Sequence, residues 1–467
     1  MLHFFRHTVY KHFHFVVLCL LYLIFSSVAG NAEEQSALLD YIQISEGFIW
    51  SSGDNIPFWM WANQNGRVSM EKSSVFGRLK TGKKRKNSDS PVVFYGLDAT
   101  LNHDPGNNII LTDAYAGISY GGLQLHAGKK AEFFGLADTL LTAGPVVYSR
   151  NAPTIPKIAL STDGYIELND WLAFNAYLAH GWFGDENYVK DAYLHQKFLY
   201  LRYGDTNPDS GFNIFAGMHD LAVWGGRNRV TGEQYPSSFS DFWRVFWWQT
   251  QSGGSHGTEQ NTIGDHRGSI EYMLQLKGKQ HDWLIYASTL FEDQSGLNLL
   301  RWNDYFAGVS YINKGTSGVL KRVNVEYFDT RNQGPNPSEP DNYFNNYMYL
   351  SGWTYEGFGI GHPFIRFTAG DNYQYTAQNK IRAINTGALF HFSRIFNPYV
   401  RLAYIENYGY INDLLLPEER IKTFSFDIIN TSFLSNGWIL KQEFGFDTGK
   451  NAHESIGGAL TISKKIF

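Results

Sequence analysis

The sequence predicts an all-β fold: a transmembrane, outer-membrane antiparallel β-barrel of 16 to 18 strands, with short helical segments in long loops. Three observations predict it. Apolar and polar residues alternate over runs of roughly ten residues or more, the period of a strand with two unlike faces. No apolar run after residue 30 approaches the roughly 18 residues that a crossing helix needs. Tyr and Trp gather where the runs end, as in "NYGY", "GWF" and "DWL", which is where an interfacial girdle sits.

Composition agrees with this class. The chain has 467 residues and a formal net charge of −5, so no nucleic-acid partner is expected. Aromatics make up 16 % and charged residues only 18 %, against about 25 % charged in soluble domains. Mean hydropathy is −0.30, too low for a bundle of membrane helices.

The first 30 residues read as a cleavable signal peptide. Arg6 and Lys11 precede an apolar stretch from Phe15 to Phe25, and Ser27-Val28-Ala29 offers small residues for cleavage. The stretch is shorter than the ~20 residues of an anchor helix. Cys19 sits in the middle of it after Leu18, which argues against lipidation. It is the single cysteine, so the exported chain (31–467, read as one barrel domain) carries no disulfide. That fits a bacterial envelope better than a eukaryotic secretory route.

Alternation then marks strands in order near 41–52, 66–80, 91–102, 108–119, 121–130, 155–168, 170–182, 193–204, 211–224, 267–279, 282–293, 301–314, 317–329, 350–360, 380–394, 397–410, 420–433, 436–448 and 453–467. In "PVVFYGLDATLNH", Val93, Tyr95 and Leu97 oppose Asp98, Thr100 and Asn102; in "GWILKQEFGFD", Trp438, Leu440 and Phe444 oppose Lys441, Glu443 and Asp447. A soluble sandwich also alternates, with its polar face in water. These runs are near the about 9–11 residues that cross a membrane at a tilt, whereas globular strands average about 5–6. At least one of the nineteen candidates is wrong, because single-chain bacterial barrels have even counts, and 16 or 18 strands is the expected range. The long irregular segments, near 131–154, 225–266, 330–349 and 361–379, are the expected inward or extracellular loops. The chain ends "GGALTISKKIF". Phe467 is expected to be built into the closing strand, yet it is out of phase with Leu460, Ile462 and Ile466, so either it leaves the lipid face or a bulge near Lys464 shifts the phase.

Four stretches resemble the Wzi capsule-assembly family: "IPFWMWANQNGRVS" (56–69), "LQLHAGKKAEFFGLADTLLTAGPVVYSRNAPTIPKIAL" (123–160), "GMHDLAVWGG" (217–226) and "YLSGWTYEGFGIGHPF" (349–364). The resemblance implies an 18-stranded outer-membrane barrel that is blocked rather than conducting. It implies a lectin-like anchor for capsular polysaccharide, not an enzyme. It also implies insertion by the barrel-assembly machinery, which reads a C-terminal aromatic. Family members carry a periplasmic helical bundle; here only Ala37 to Tyr41 precedes the first strand-like run, so that bundle is expected to be absent or reduced.

Candidate chemistry lies in the loops. "SSFSDFWRVFWWQTQSGG" (237–254) suggests a helix with Ser240 as N-cap, Asp241 in the first turn and Gly253-Gly254 as its stop. Phe242, Trp243, Phe246 and Trp247 would form one aromatic flank. It reads as a plug in the barrel mouth, or as a platform on which sugar rings stack while Asp241, Arg244 and Gln249 donate or accept. In "AVWGGRNRVTG" (222–232), Trp224, Arg227 and Arg229 surround a Gly-permitted turn. Arginine forks suit the carboxylates of uronic or sialic acids; the plainer reading pairs them with acids in the lumen. "NAPTIPKIAL" (151–160) reads as loop closure into a strand. The basic run "KTGKKRKNSDSP" (80–91) is a solvated turn, or a contact for lipopolysaccharide phosphates. The carbohydrate-binding set is thus Trp224, Arg227, Arg229, Asp241, Trp243, Arg244 and Trp247.

No H-E-x-x-H, phosphate loop or Cys/His metal spacing occurs, and no catalytic set, metal or cofactor is expected. A rim enzyme would have to assemble a site around His126, His180, His219 or His281. A porin or solute channel is the main alternative, with an open lumen as its mark. The expected partners are surface polysaccharide, outer-membrane lipid and lipopolysaccharide.

Overall fold

The computed structural model describes residues 39–71, 73–85, 90–103, 108–249, 263–292, 302–334 and 340–466. The expected signal peptide, Phe467, the centre of the basic run and the Gly253-Gly254 stop lie outside these residues.

Eighteen long strands form one closed sheet among the described residues. They are β1 (Tyr41–Ser51), β2 (Ser74–Lys83), β3 (Val92–His103), β4 (Asn108–Tyr120), β5 (Leu123–Lys129) and β6 (Lys157–Thr162). Next come β7 (Leu172–Trp182), β8 (Tyr193–Gly204), β9 (Gly211–Trp224), β10 (Asp265–Lys277), β11 (His281–Phe291) and β12 (Tyr305–Asn313). The last are β13 (Leu320–Asp329), β14 (Ile381–Phe390), β15 (Pro398–Asn407), β16 (Ile421–Phe433), β17 (Trp438–Lys450) and β18 (Ser455–Lys465). Each pairs antiparallel with the next in sequence, and β18 returns to β1 from Gln43↔Lys465 to Ser51↔Gly457. Closure leaves no edge whose backbone groups would be stranded in lipid.

The register runs without a shift through Lys464 and Lys465, so the bulge considered there is not present. Leu460 and Ile462 face lipid and Ser463 faces the lumen, where its hydroxyl meets that of Ser45 at 2.8 Å. The candidate strand at 350–360 is the surplus one. Its residues fold inward as part of a long loop and keep only a two-residue ribbon, Thr354–Tyr355 against Phe358–Gly359. Its apolar positions were a core signal, not a wall signal.

The connections are strongly asymmetric. At one end β4 turns into β5 through Gly121-Gly122, and β10 into β11 through 278–280. At the other end lie 52–73, 130–156, 183–192, 225–264 and 330–380. Long loops are extracellular in such barrels and short turns periplasmic. The basic run therefore flanks a periplasmic turn between β2 and β3, where Arg85 pairs with Asp163 of the neighbouring turn. It is at the wrong end for phosphates of the outer leaflet.

Three of the long loops fill the lumen. The first carries α1 (Phe58–Trp61), whose four residues are all buried. Phe58 of α1 meets Phe364 of the third loop at 5.6 Å, and Phe134 of the second meets Tyr177 of the wall at 5.1 Å. Trp353 of the third donates its indole N–H to Val147 O of the second at 2.6 Å. Acids on the inner wall latch the loop backbones. Asp447 accepts from Phe58 N at 2.8 Å, Glu326 from Ala143 N at 2.8 Å, and Glu271 from Leu136 N. Arg401, paired with Asp427 at 2.6 Å, lies 5.0 Å from the Trp59 ring. The polar inner faces thus serve as hydrogen-bonding sockets for a plug, since a buried N–H without an acceptor costs about 1–3 kcal/mol.

Candidate functional site

The extracellular crown is built from 183–192, 225–236 and 340–375. Gly225 and Gly226, at φ +65° and +83°, turn the chain off β9. A Cβ on Gly226 would stand 2.6 Å from Lys190 O, so only glycine permits the following pairing of Arg227 with Lys190. Asn228 then closes the turn, its side-chain oxygen accepting from Val230 N at 2.9 Å and Thr231 N at 3.0 Å. Thus two cationic side chains, Arg227 and Lys190, stand side by side on a ribbon facing water.

Arg227 donates from Nε to Gly232 O at 3.0 Å and is otherwise exposed. Arg229 donates to the carbonyls of Asn187, at 3.2 Å, and Asp185. Its guanidinium stacks 4.3 Å from the ring of Tyr373, itself exposed in the tight turn Asp371–Tyr373. Neither arginine meets a carboxylate within 4.0 Å among the described residues. They are therefore not the lumen-acid pairs of the plainer reading. What they form is a cationic shelf with an aromatic face beside it, able to bind a carboxylate and to stack an apolar ring face.

The remaining predicted residues lie elsewhere. The helix α2 (Phe239–Phe246) is capped by Ser238, not Ser240, with Asp241 completing a reciprocal capping box. Asp241 also pairs with Arg244 at 3.2 Å. Partial burial alone would raise the Asp241 carboxyl, but bonds from Ser238 and Arg244 hold it below the ordinary value. Both groups are thus occupied in holding the helix. The helix does not enter the mouth as a plug. It lies against the outside of the wall over β7 to β9, where Phe242 meets His195 at 5.2 Å and Trp224 at 6.2 Å. Trp224 is buried beneath it, while Trp243 and Trp247 face away from the wall.

The structure thus brings together Arg227 and Arg229, and separates them from Asp241, Trp243, Arg244 and Trp247. Sequence reasoning missed Tyr373 and Lys190. The turn-rich "AGDNYQY" (369–375) was a usable signal for an aromatic held out on a tight turn. The four histidines are dispersed: His126 and His219 face the lumen, His180 lies under α2, and His281 bonds Tyr311 at 2.7 Å near the periplasmic end.

An 18-strand antiparallel barrel closed on itself, with three long loops packed into its lumen among the described residues, defines a transmembrane β-barrel of the outer membrane. The chain belongs to the capsule assembly protein Wzi family, whose family model matches residues 60–386, more than half of the sequence. Among solved structures it is similar to Wzi of Escherichia coli, described as an outer-membrane protein involved in group 1 capsule assembly and a carbohydrate-binding β-barrel. That likeness has a TM-score of 0.59 at 12 % identity and covers 90 % of this chain and 83 % of that one. It is more remotely similar to Pseudomonas aeruginosa OccK5 (OpdH), with a TM-score of 0.47, 10 % identity and coverage of 92 % and 97 %. Comparison with curated protein sequences found no match.

Proposed function

We propose that this protein is a non-enzymatic, lectin-like anchor that binds capsular or other surface polysaccharide on its crown and holds it at the cell surface. The observation that carries this reading is family membership combined with a lumen filled by three latched loops. A filled lumen offers solutes no path, so function falls to the crown. There the Arg229–Tyr373 stack and the neighbouring Arg227 supply groups that recognise acidic sugars. The barrel wall would meet lipid and lipopolysaccharide, and the closing strand the barrel-assembly machinery.

A glycan-binding assay with the purified barrel and the host's own surface polysaccharide tests this. The Arg227→Ala/Arg229→Ala double variant is expected to lose at least about tenfold in affinity, the effect of removing charged hydrogen bonds worth roughly 1.4 kcal/mol or more. In cells, a deletion strain is expected to shed its polysaccharide into the medium. Full retention in that strain, with unchanged binding by the double variant, would overturn the reading.

A further inference from the structure

Side-chain alternation fixes which residues of the wall face outward near α2. On β8, Leu199, Leu201 and Tyr203 are exposed to lipid, so Tyr193, His195 and Lys197 share that face. On β9, Phe212 and Ile214 are exposed, which puts Asp220, Ala222 and Trp224 outward; on β10, Leu276 does the same for His266. Cross-strand register joins them into one patch, with Lys197 opposite Asp220 and Ala222 opposite His266. Lys197 Nζ lies 2.7 Å from Asp220, and His266 lies 3.4 Å from it. This is a charged cluster on the outside of a membrane barrel.

Its height matters. Tyr203 stacks with Trp171 near the periplasmic end and marks the lower girdle. A strand rising about 3.3 Å per residue at a tilt of about 40° climbs roughly 2.5 Å per residue. Lys197 then stands roughly 15 Å above Tyr203, within an apolar band about 25 Å tall. Bare charges there would be costly.

Helix α2 and the residues after it cover them. Phe246 lies 5.6 Å from His195 and 5.1 Å from Lys197 Nζ. Trp248 stacks 4.5 Å from Lys197 and donates its indole N–H to Asp220 at 3.1 Å. Val245, Ile263, Ala222 and Trp224 form an apolar cluster separate from the core inside the barrel. The opposite side of the helix is apolar too: Phe239, Trp243 and Trp247 are 76 %, 43 % and 63 % exposed. A helix apolar on both sides fits a place between protein and lipid, and Trp is the residue of the membrane interface. The patch it presents continues the lipid-facing surface of Leu199, Leu201 and Ile214.

We infer that α2 is an interfacial helix of the outer leaflet. Phe239, Trp243 and Trp247 insert at the boundary between acyl chains and headgroups, and the helix seals the Lys197–Asp220–His266 cluster from hydrocarbon. The occupant of this aromatic face is membrane lipid, not polysaccharide. The inference rests on the barrel spanning the membrane and is independent of which glycan the crown takes.

The test uses the absence of cysteine after residue 30. In a Cys19→Ser background, Phe239→Cys, Trp243→Cys and Trp247→Cys are each labelled with an environment-sensitive nitrobenzoxadiazole dye. The full barrel is placed in phosphatidylcholine vesicles doped with doxyl-labelled lipid. Val230→Cys, on the crown, is the control, and heat-shifted mobility in detergent gels confirms folding of each variant. The expected result is blue-shifted emission at all three helix positions and quenching by doxyl lipid several-fold stronger than at Val230. Quenching equal to the Val230 control, or emission that answers to added polysaccharide but not to doxyl lipid, would overturn the inference.

Discussion

At the scale of single residues, the plug depends on what the inner wall leaves out as much as on what it supplies. Gly457 of β18 faces α1, and a Cβ there would stand 2.8 Å from Pro57 and 3.1 Å from Met60. Gly445 of β17 is similarly close to Met60, and Gly387 of β14 to Leu141. Glycine inside a strand often marks close approach of another chain segment, and these positions were visible in the sequence without their partners. Gly457→Val is expected to push α1 off the wall and destabilise the barrel by about 1–3 kcal/mol, as overpacking does. A lowered denaturant midpoint for loss of the folded gel band measures it. The latch at Glu326 works by acceptance. Glu326→Gln keeps an acceptor for Ala143 N and Asn385 and turns an amide N–H toward the Tyr286 oxygen, whereas Glu326→Ala leaves all three without a partner there. The alanine variant is therefore expected to lose roughly 1–3 kcal/mol more than the glutamine variant, by the same measurement.

At the scale of elements, the loop 130–156 is pinned by an ion cluster as well as by backbone bonds. Glu132 lies 3.1 Å from Lys130 and 3.2 Å from Lys157, and Lys157 is itself caged by Phe134 at 4.6 Å and Tyr177 at 5.2 Å. Burial would raise the Glu132 carboxyl, but Lys157 and Lys130 outweigh it and hold it at about 2, against an ordinary 4.5. His362, enclosed by Phe328 at 4.4 Å and Phe364 at 4.7 Å, is pushed down by burial to about 3 from 6.5. Both groups fold with depressed values, so the unfolded loops bind more protons in acid. Their contribution is full above 6.5, begins to fall there for His362 and at 4.5 for Glu132, and is gone below about 2. Acidification from pH 7 to pH 3 is therefore expected to loosen the plug. Steps of conductance in a planar bilayer at pH 3, reversible on return to pH 7, would show it; a silent bilayer at both values would contradict it.

At the scale of the whole molecule, the barrel is a wall whose two faces answer to different solvents, and whose loops decide which solvent fills the inside. Deleting 131–154 is expected to raise conductance at neutral pH above that of the intact barrel, because that loop reaches both the β10 and β13 latches. Unchanged conductance would mean that the loops at 52–73 and 330–380 suffice to seal it. Strand existence, order and inside-outside phase were legible because side-chain alternation is a local property with a period of two. The ends of β8 and β9 fall at the predicted residues for that reason. The same logic misread 350–360, whose apolar residues are satisfied by a core inside the barrel. It also placed α2 in the mouth, since an amphipathic helix does not encode which wall it will cover. The sequence by itself determined a closed, lipid-facing barrel of even strand number, with long loops at one end. Only the tertiary structure decided that three of those loops fold inward, that Arg227 stands exposed on the crown while Trp243 and Trp247 turn away from the wall, and that acids of the lumen face loop backbone. Alternation needs only neighbours in the chain; those decisions depend on contacts across more than a hundred residues, such as Phe58 with Asp447 and Trp353 with Val147.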